Sequence, residues 1–150
     1  MKYHIDSVVM AEQSLLGALM QEPEKLIEVK ATVDPEDFYD ERNKDIYSAI
    51  LRLDEMGIIP DTTTIFEEIN NSGAFRTVDA SLYIVDLYDI TPSSRNIMHY
   101  ANLVKRYSIY REIRAALLSS TEEMNQGNAD IDSLTATLFD QVERAMERAK

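Results

Sequence analysis

Apolar positions recur at helical spacing along nearly the whole chain, and no run reads as a strand-and-turn series, so the pattern predicts an all-α fold. Val8, Leu15, Leu16 and Leu19 mark one face of a first helix, with Asp6 or Ser7 as its expected N-cap. Gly17 inside that helix costs roughly 1 kcal/mol against Ala, a cost that close packing against another helix would explain. Pro23 suits the first position of a short second helix through Leu26, Ile27 and Val29. Asp34–Tyr39 reads as a turn into an aromatic pair. From Glu41 to Met56, Ile46, Tyr47, Ile50, Leu51 and Leu53 form an amphipathic pattern that Gly57 closes. After Ile59–Pro60, which cannot continue a helix, Thr64 with Glu67 matches a capping box for a helix through Ile65, Phe66 and Ile69. Asp79 is expected to cap a further short helix, residues 80–88, carrying Leu82, Tyr83, Ile84 and Leu87.

Residues 1–92 therefore predict a globular bundle of short helices, and residues 93–150 a long antiparallel helical hairpin. Ser94–Asn125 holds no Gly or Pro over about 30 residues, a helix roughly 45 Å long. Gln126-Gly127-Asn128 supplies the stop, and Asp130 or Asp132 a cap for the return helix. Ile131, Leu134, Leu138, Val142, Ala145 and Ala149 follow one another at steps of 3, 4, 4, 3 and 4, a narrow seam of the coiled-coil kind. Two helices this long carry more apolar edge than each can cover for the other. The expected self-association surface comprises Leu134, Leu138, Val142 and Ala145, with Ile113 and Leu117 on the first hairpin helix. Tyr100, Tyr107 and Tyr110 lie along that same helix with Arg106, Arg111 and Arg114, either packed internally or facing a partner. Tyr107, Tyr110 and Arg114 are taken as candidate partner-binding residues, together with Tyr83, whose short helix is expected beside the hairpin.

Charge sharpens the picture. The net charge is −12, and it is uneven: residues 1–100 hold 8 Lys and Arg against 19 Asp and Glu, whereas residues 101–150 hold 7 against 8. An acidic body repels a phosphate backbone, so direct nucleic-acid binding is not expected. It either solubilises the chain or meets a basic partner. There is no cysteine, no signal-peptide core and no apolar run of membrane-spanning length; a soluble, cytoplasmic protein is expected, with no membrane association. Catalytic groupings are missing from the pattern. None of the four glycines is followed by Lys as a phosphate loop requires, and His4 and His99 stand outside metal-ligand spacing. Paired acids such as Glu36–Asp37 and Glu67–Glu68 fit the solvated faces of their helices. No catalytic, metal-binding or cofactor-binding residue is assigned.

One ordered set of segments carries a resemblance. Ala11-Glu12-Gln13-Ser14-Leu15-Leu16-Gly17-Ala18-Leu19, Pro35-Glu36-Asp37-Phe38-Tyr39, Ile46–Tyr47 and Ala49–Ile50 are followed by Asp61-x-x-Thr64, Gly73, Tyr83–Ile84, Pro92–Ser93 and Ile97-x-x-Tyr100–Ala101. Over roughly residues 8–115 this order resembles the N-terminal domain of the DnaB-type replicative DNA helicases of bacteria and their phages. The chain departs from that pattern at Asn43, where the family often has His, and at Asp79–Ala80, where it has a Gly pair. The resemblance implies a collar module: a trimer of dimers paired through hairpins, receiving the C-terminal domain of the primase and in some systems the helicase loader. It also implies that ATP and Mg²⁺ belong to a RecA-like motor domain, absent from this chain, which ends at Lys150 where a linker would begin.

Three function classes stand beside each other. The first is this scaffolding domain of a replicative helicase, without catalysis of its own. The second is a free-standing helical adaptor, of phage or plasmid type, that binds primase or loader. The third, a small helical enzyme or DNA-binding regulator, lacks both a titratable cluster and a basic recognition helix.

Overall fold

The computed structural model describes residues 2–73, 79–127 and 129–150. Every regular element among these is helical: α1 (Ile5–Gln21), α2 (Leu26–Lys30), α3 (Glu41–Glu55), α4 (Thr62–Ser72), α5 (Ala80–Ile90), α6 (Ile97–Asn125) and α7 (Ile131–Arg148). Short 3-10 turns at Pro23–Lys25, Pro35–Asp37 and Ser94–Asn96 lead into α2, precede α3 and open α6. The chain divides into two compact units, Met1–Val104 and Lys105–Lys150.

The first unit is built around α1. Val8, Leu15, Leu16, Ala18 and Leu19 are fully buried, each of the larger side chains contributing roughly 1.5–3 kcal/mol on leaving water. The helix packs against α5 and α3, α3 packs against α4, and α4 against α5. Gly17 explains the closeness of α1 to α5: a Cβ at this position would stand 1.7 Å from Thr91 Oγ1 and 2.3 Å from the Leu87 carbonyl oxygen. The predicted close approach is thus observed, and its partner is the end of α5. Tyr47 anchors α3, donating its hydroxyl to the Val33 carbonyl (2.7 Å) and stacking on Phe38 with centroids 4.9 Å apart. Burial, reinforced by Asp34 and Asp37, pushes its phenol well above the ordinary tyrosine range. Arg52 donates to Glu68 at 2.7 Å, tying α3 to α4, and Lys30 to Asp54 at 2.9 Å, tying α2 to α3.

Several helix starts differ from the sequence expectation. The N-cap of α1 is His4, without a side-chain cap bond, so Asp6 and Ser7 lie inside the first turn. The box at α4 is Asp61 with Thr64: Asp61 Oδ1 accepts from Thr64 N and Thr64 Oγ1 from Asp61 N, both at 2.8 Å. Thr64 with Glu67 is the same motif read one turn too late. Asp79 occupies the N-cap of α5 but makes no side-chain cap bond there, and that helix runs on to Ile90.

In the second unit α7 returns antiparallel to α6. Arg148, at the end of α7, donates to Glu112 and, at 3.2 Å, to Ser108. Gly127 takes the left-handed φ of +73° expected of the helix stop; Asn128 lies outside the described residues. Of the two cap candidates Asp130 is used, accepting from Ser133 N (3.2 Å) and Ser133 Oγ (2.8 Å). These bonds hold its carboxyl below the usual aspartate range.

Candidate interaction surfaces

A fully buried carboxylate that links distant elements of the first unit is one the sequence does not advertise. Glu12 lies on the apolar face of α1, fully buried, four residues after Val8. Its carboxylate receives Tyr39 N at 2.6 Å, Asp40 N at 3.1 Å and Asn43 Nδ2 at 3.1 Å. A buried carboxylate is costly unless hydrogen-bonded, and here the entry to α3 supplies the donors. Asn43, also fully buried, accepts in turn from the Tyr83 hydroxyl at 2.5 Å, and Gln13 Nε2 reaches the same hydroxyl at 3.3 Å. One polar chain therefore joins α1, α3 and α5.

Arg42 closes this junction toward solvent. Its guanidinium grips Asp40 with two bonds, Nε to Oδ1 at 3.3 Å and Nη2 to Oδ2 at 3.2 Å, and lies over the Tyr83 ring with Cζ 4.3 Å from the centroid. Burial opposes ionisation of Asp40, but the Arg42 hydrogen bond, the Asn43 amide and the Arg42 charge outweigh it and hold the carboxyl below its ordinary value. Asp40 in turn raises the Arg42 guanidinium. Burial raises the Tyr83 phenol, helped by Asp40 and Glu12 and resisted by Gln13 and Arg42. The arrangement offers no nucleophile beside a base. It is a clamp, and it places Tyr83, one of the sequence-predicted partner residues, half-buried with its hydroxyl engaged and one ring face covered.

The remaining predicted residues fall in the second unit. Leu134, Leu138, Val142 and Ile113 are half-buried, Leu117 is 51% exposed, and Ala145 is fully buried. Tyr107 is 5% and Tyr110 43% exposed, and Arg114 lies at the surface. Beside them the hairpin exposes large apolar groups outside the predicted set: Leu118, Met124, Phe139 and Met146, with Ile131 the most open at 76%. Single exposed apolar residues are ordinary; Phe139 and Met146, seven residues apart on α7, fall on one face of that helix.

Sequence reasoning missed Glu12, Asn43 and Arg42. The signal for Glu12 was its register: an acid at the helical position of Val8 and Leu15 on an otherwise apolar face. Among the described residues no group of His, Asp and Glu is arranged to hold a metal, and no helix is long and apolar enough to cross a membrane.

Comparison with known proteins adds the family. The family described as "DnaB-like helicase N terminal domain" matches residues 6–106. The chain is 29% identical over 124 residues to the replicative DNA helicase DnaB of Geobacillus stearothermophilus, covering 83% of this chain and 27% of that protein. It is 33% identical over 103 residues to the replicative DNA helicase DnaC of Bacillus subtilis (strain 168), covering 69% and 23% respectively. It thus spans about a quarter of the length of these relatives. In three dimensions it is similar to the crystal structure of the N-terminal domain of DnaB helicase from Mycobacterium tuberculosis, with a TM-score of 0.79 at 25% identity, over 87% of this chain and 96% of that one. The all-α architecture, the helix order around α1 and the extended match across residues 6–106 converge: this chain belongs to the DnaB-like helicase N-terminal domain family.

Proposed function

We propose that this chain is the collar domain of a replicative DNA helicase, a scaffold that self-associates through its hairpin and docks primase or a helicase loader. The observation that carries the reading is the apolar surface left on the hairpin of a chain in this family: Leu117, Leu118, Phe139 and Met146 are each more than half exposed. An apolar face of this kind is stabilised by a copy or a partner. In this reading Leu134, Leu138, Val142, Ala145, Ile113 and Leu117 form or support the pairing face; Tyr110 and Arg114 in the second unit, with the buried Tyr107 in a supporting role, and separately Tyr83 in the first unit, are the docking residues. ATP, Mg²⁺ and duplex unwinding belong to a separate motor domain. Pairing of hairpins sets the symmetry of the ring, and an occupant that prefers one packing of the collar shifts the population of packings, and through it the motor.

The docking half is tested by titrating the C-terminal domain of the primase from the same source into the chain, with heat of binding as the readout. Saturable binding weakened by Arg114→Glu and Tyr110→Ala supports it. Absence of binding at concentrations near 0.1 mM, where a Kd of about 0.1 mM or tighter occupies a third or more of the sites, removes docking of that strength from the reading.

A further inference from the structure

A second surface, on the first unit, is independent of the hairpin. The turn after α3 and the turn before α2 enclose an open groove of about 480 Å³. Its apolar wall is Pro23, Leu26, Ile58, Ile59 and Pro60, and its rim carries Glu24 and Asp54. The size lies within the roughly 300–1,000 Å³ of pockets that hold ligands. The wall is unusually open for apolar side chains: Ile59 is 70% and Ile58 42% exposed, Met56 in the same turn is 55% exposed, and Ile27 beside Leu26 is 72% exposed. Gly57, at φ +73° and with open space where a Cβ would stand, holds the turn that presents Ile58 and Ile59.

Charge indicates the occupant. Residues 22–30 and 54–61, which build the groove, hold six acidic residues and two lysines, a balance of −4. Both lysines are already engaged, Lys25 with Glu28 at 3.5 Å and Lys30 with the rim's Asp54 at 2.9 Å, so the acids that face a cationic partner are Glu24 on the rim and Glu55, next to Asp54 in sequence. A second copy of this acidic unit would meet like charge. Recognition mode follows from the lining. No strand among the described residues offers an edge for β-augmentation, and no aromatic residue lines the groove as polyproline ligands require. A helix satisfies its own backbone and needs only an apolar stripe and a favourable flank. We propose that this groove docks a basic amphipathic helix of another protein, its apolar stripe on Ile58 and Ile59 and its Lys or Arg residues against the acidic rim.

The test is an amide NMR titration of the 150-residue chain with an 18-residue Lys/Leu peptide of helical spacing, and with a scrambled peptide of the same composition as control. Shifts confined to the amides of residues 24–27 and 54–59, absent with the scrambled peptide, are the expected result. Ile59→Asp should weaken binding about tenfold, although it adds negative charge, which separates apolar docking from simple attraction. Glu24→Gln with Glu55→Gln should weaken binding and flatten its salt dependence. Leu118→Asp on the hairpin should leave the peptide affinity unchanged, so failure of the collar reading and failure of this one are distinguishable. The proposal is overturned if the scrambled peptide binds equally, if shifts spread over the acidic surface, if Ile59→Asp has no effect while helicity is retained, or if the groove signals move with protein concentration alone, which would make a second copy the occupant.

Discussion

Removing the Glu12 side chain should be among the most damaging single changes in the first unit. Glu12→Ala takes away both carboxylate oxygens, and with them the acceptors of Tyr39 N, Asp40 N and Asn43 Nδ2 at 2.6, 3.1 and 3.1 Å. The buried Asn43 donor left without a partner costs about 1–3 kcal/mol, and the part-buried Tyr39 and Asp40 amides, which water reaches, cost less each. The helix itself gains a few tenths from Ala, and water entering the space recovers part of the rest. The expected destabilisation is about 3–5 kcal/mol, a large share of the roughly 5–15 kcal/mol that holds a typical domain together. Glu12→Gln should cost less, about 2 kcal/mol, because the amide keeps one oxygen acceptor but turns an N–H donor toward a donor. Urea unfolding followed by circular dichroism gives both values, and amide exchange locates the effect: protection of Tyr39 and Asp40 should fall in Glu12→Ala before the α3 interior opens. A loss below about 1 kcal/mol in Glu12→Ala, with exchange at Tyr39 and Asp40 unchanged, would refute the view that this carboxylate holds the junction.

Other outcomes follow from single features. Gly17→Ala should cost about 3 kcal/mol or more in thermal unfolding, since relief of the Thr91 clash leaves the Leu87 carbonyl 2.3 Å from the new Cβ. Asp61→Ala should cost about 1 kcal/mol and Glu67→Ala less than about 0.5, the reverse of the ranking expected if Thr64 and Glu67 formed the box. Tyr47→Phe should cost about 1–2 kcal/mol near neutral pH, by loss of the bond to Val33. Because burial raises the folded phenol above its unfolded value near 10, the wild type should lose stability relative to Tyr47→Phe as the pH rises above that value. Urea midpoints measured at pH 8 and pH 11 check the sign. Asp40 works in the opposite direction: its folded carboxyl lies below 3.8, so its stabilising effect is present above that pH and disappears as acid protonates it, and Asp40→Asn should differ least from wild type at pH 2.

Much of this architecture was legible because its signals are local. Gly57, Gly127 and Asp130, one of two candidate caps, mark helix boundaries through their own backbone preferences and are used so, while Pro23 opens the 3-10 turn Pro23–Lys25 ahead of α2 rather than α2 itself. Gly17 was legible in kind, as a close approach, but not in partner, because Leu87 and Thr91 lie far along the chain, at the other end of the first unit. The capping box at α4 shows how overlapping motifs mislead. Asp61, Thr64 and Glu67 offer two frames three residues apart, and the choice depends on where the chain leaves the extended conformation after Pro60, which Asp61 does at φ −138°. Glu12 was least legible. Its burial depends on donors 27 to 31 residues distant, so nothing in its own neighbourhood says that an acid on an apolar face is satisfied rather than misplaced. The hairpin seam was read from spacing alone, and spacing does not separate the fully buried Ala145 from Ile131 at 76% exposure.

Self-association through the hairpin is most directly tested by sedimentation equilibrium of this chain across concentration, beside a Leu138→Asp, Val142→Asp variant. A concentration-dependent dimer or higher assembly, lost in the variant while helicity is retained, is the expected result. A monomer at every concentration up to about 0.5 mM, where Kd values of 1 mM or tighter would register, would contradict pairing as a property of the hairpin itself.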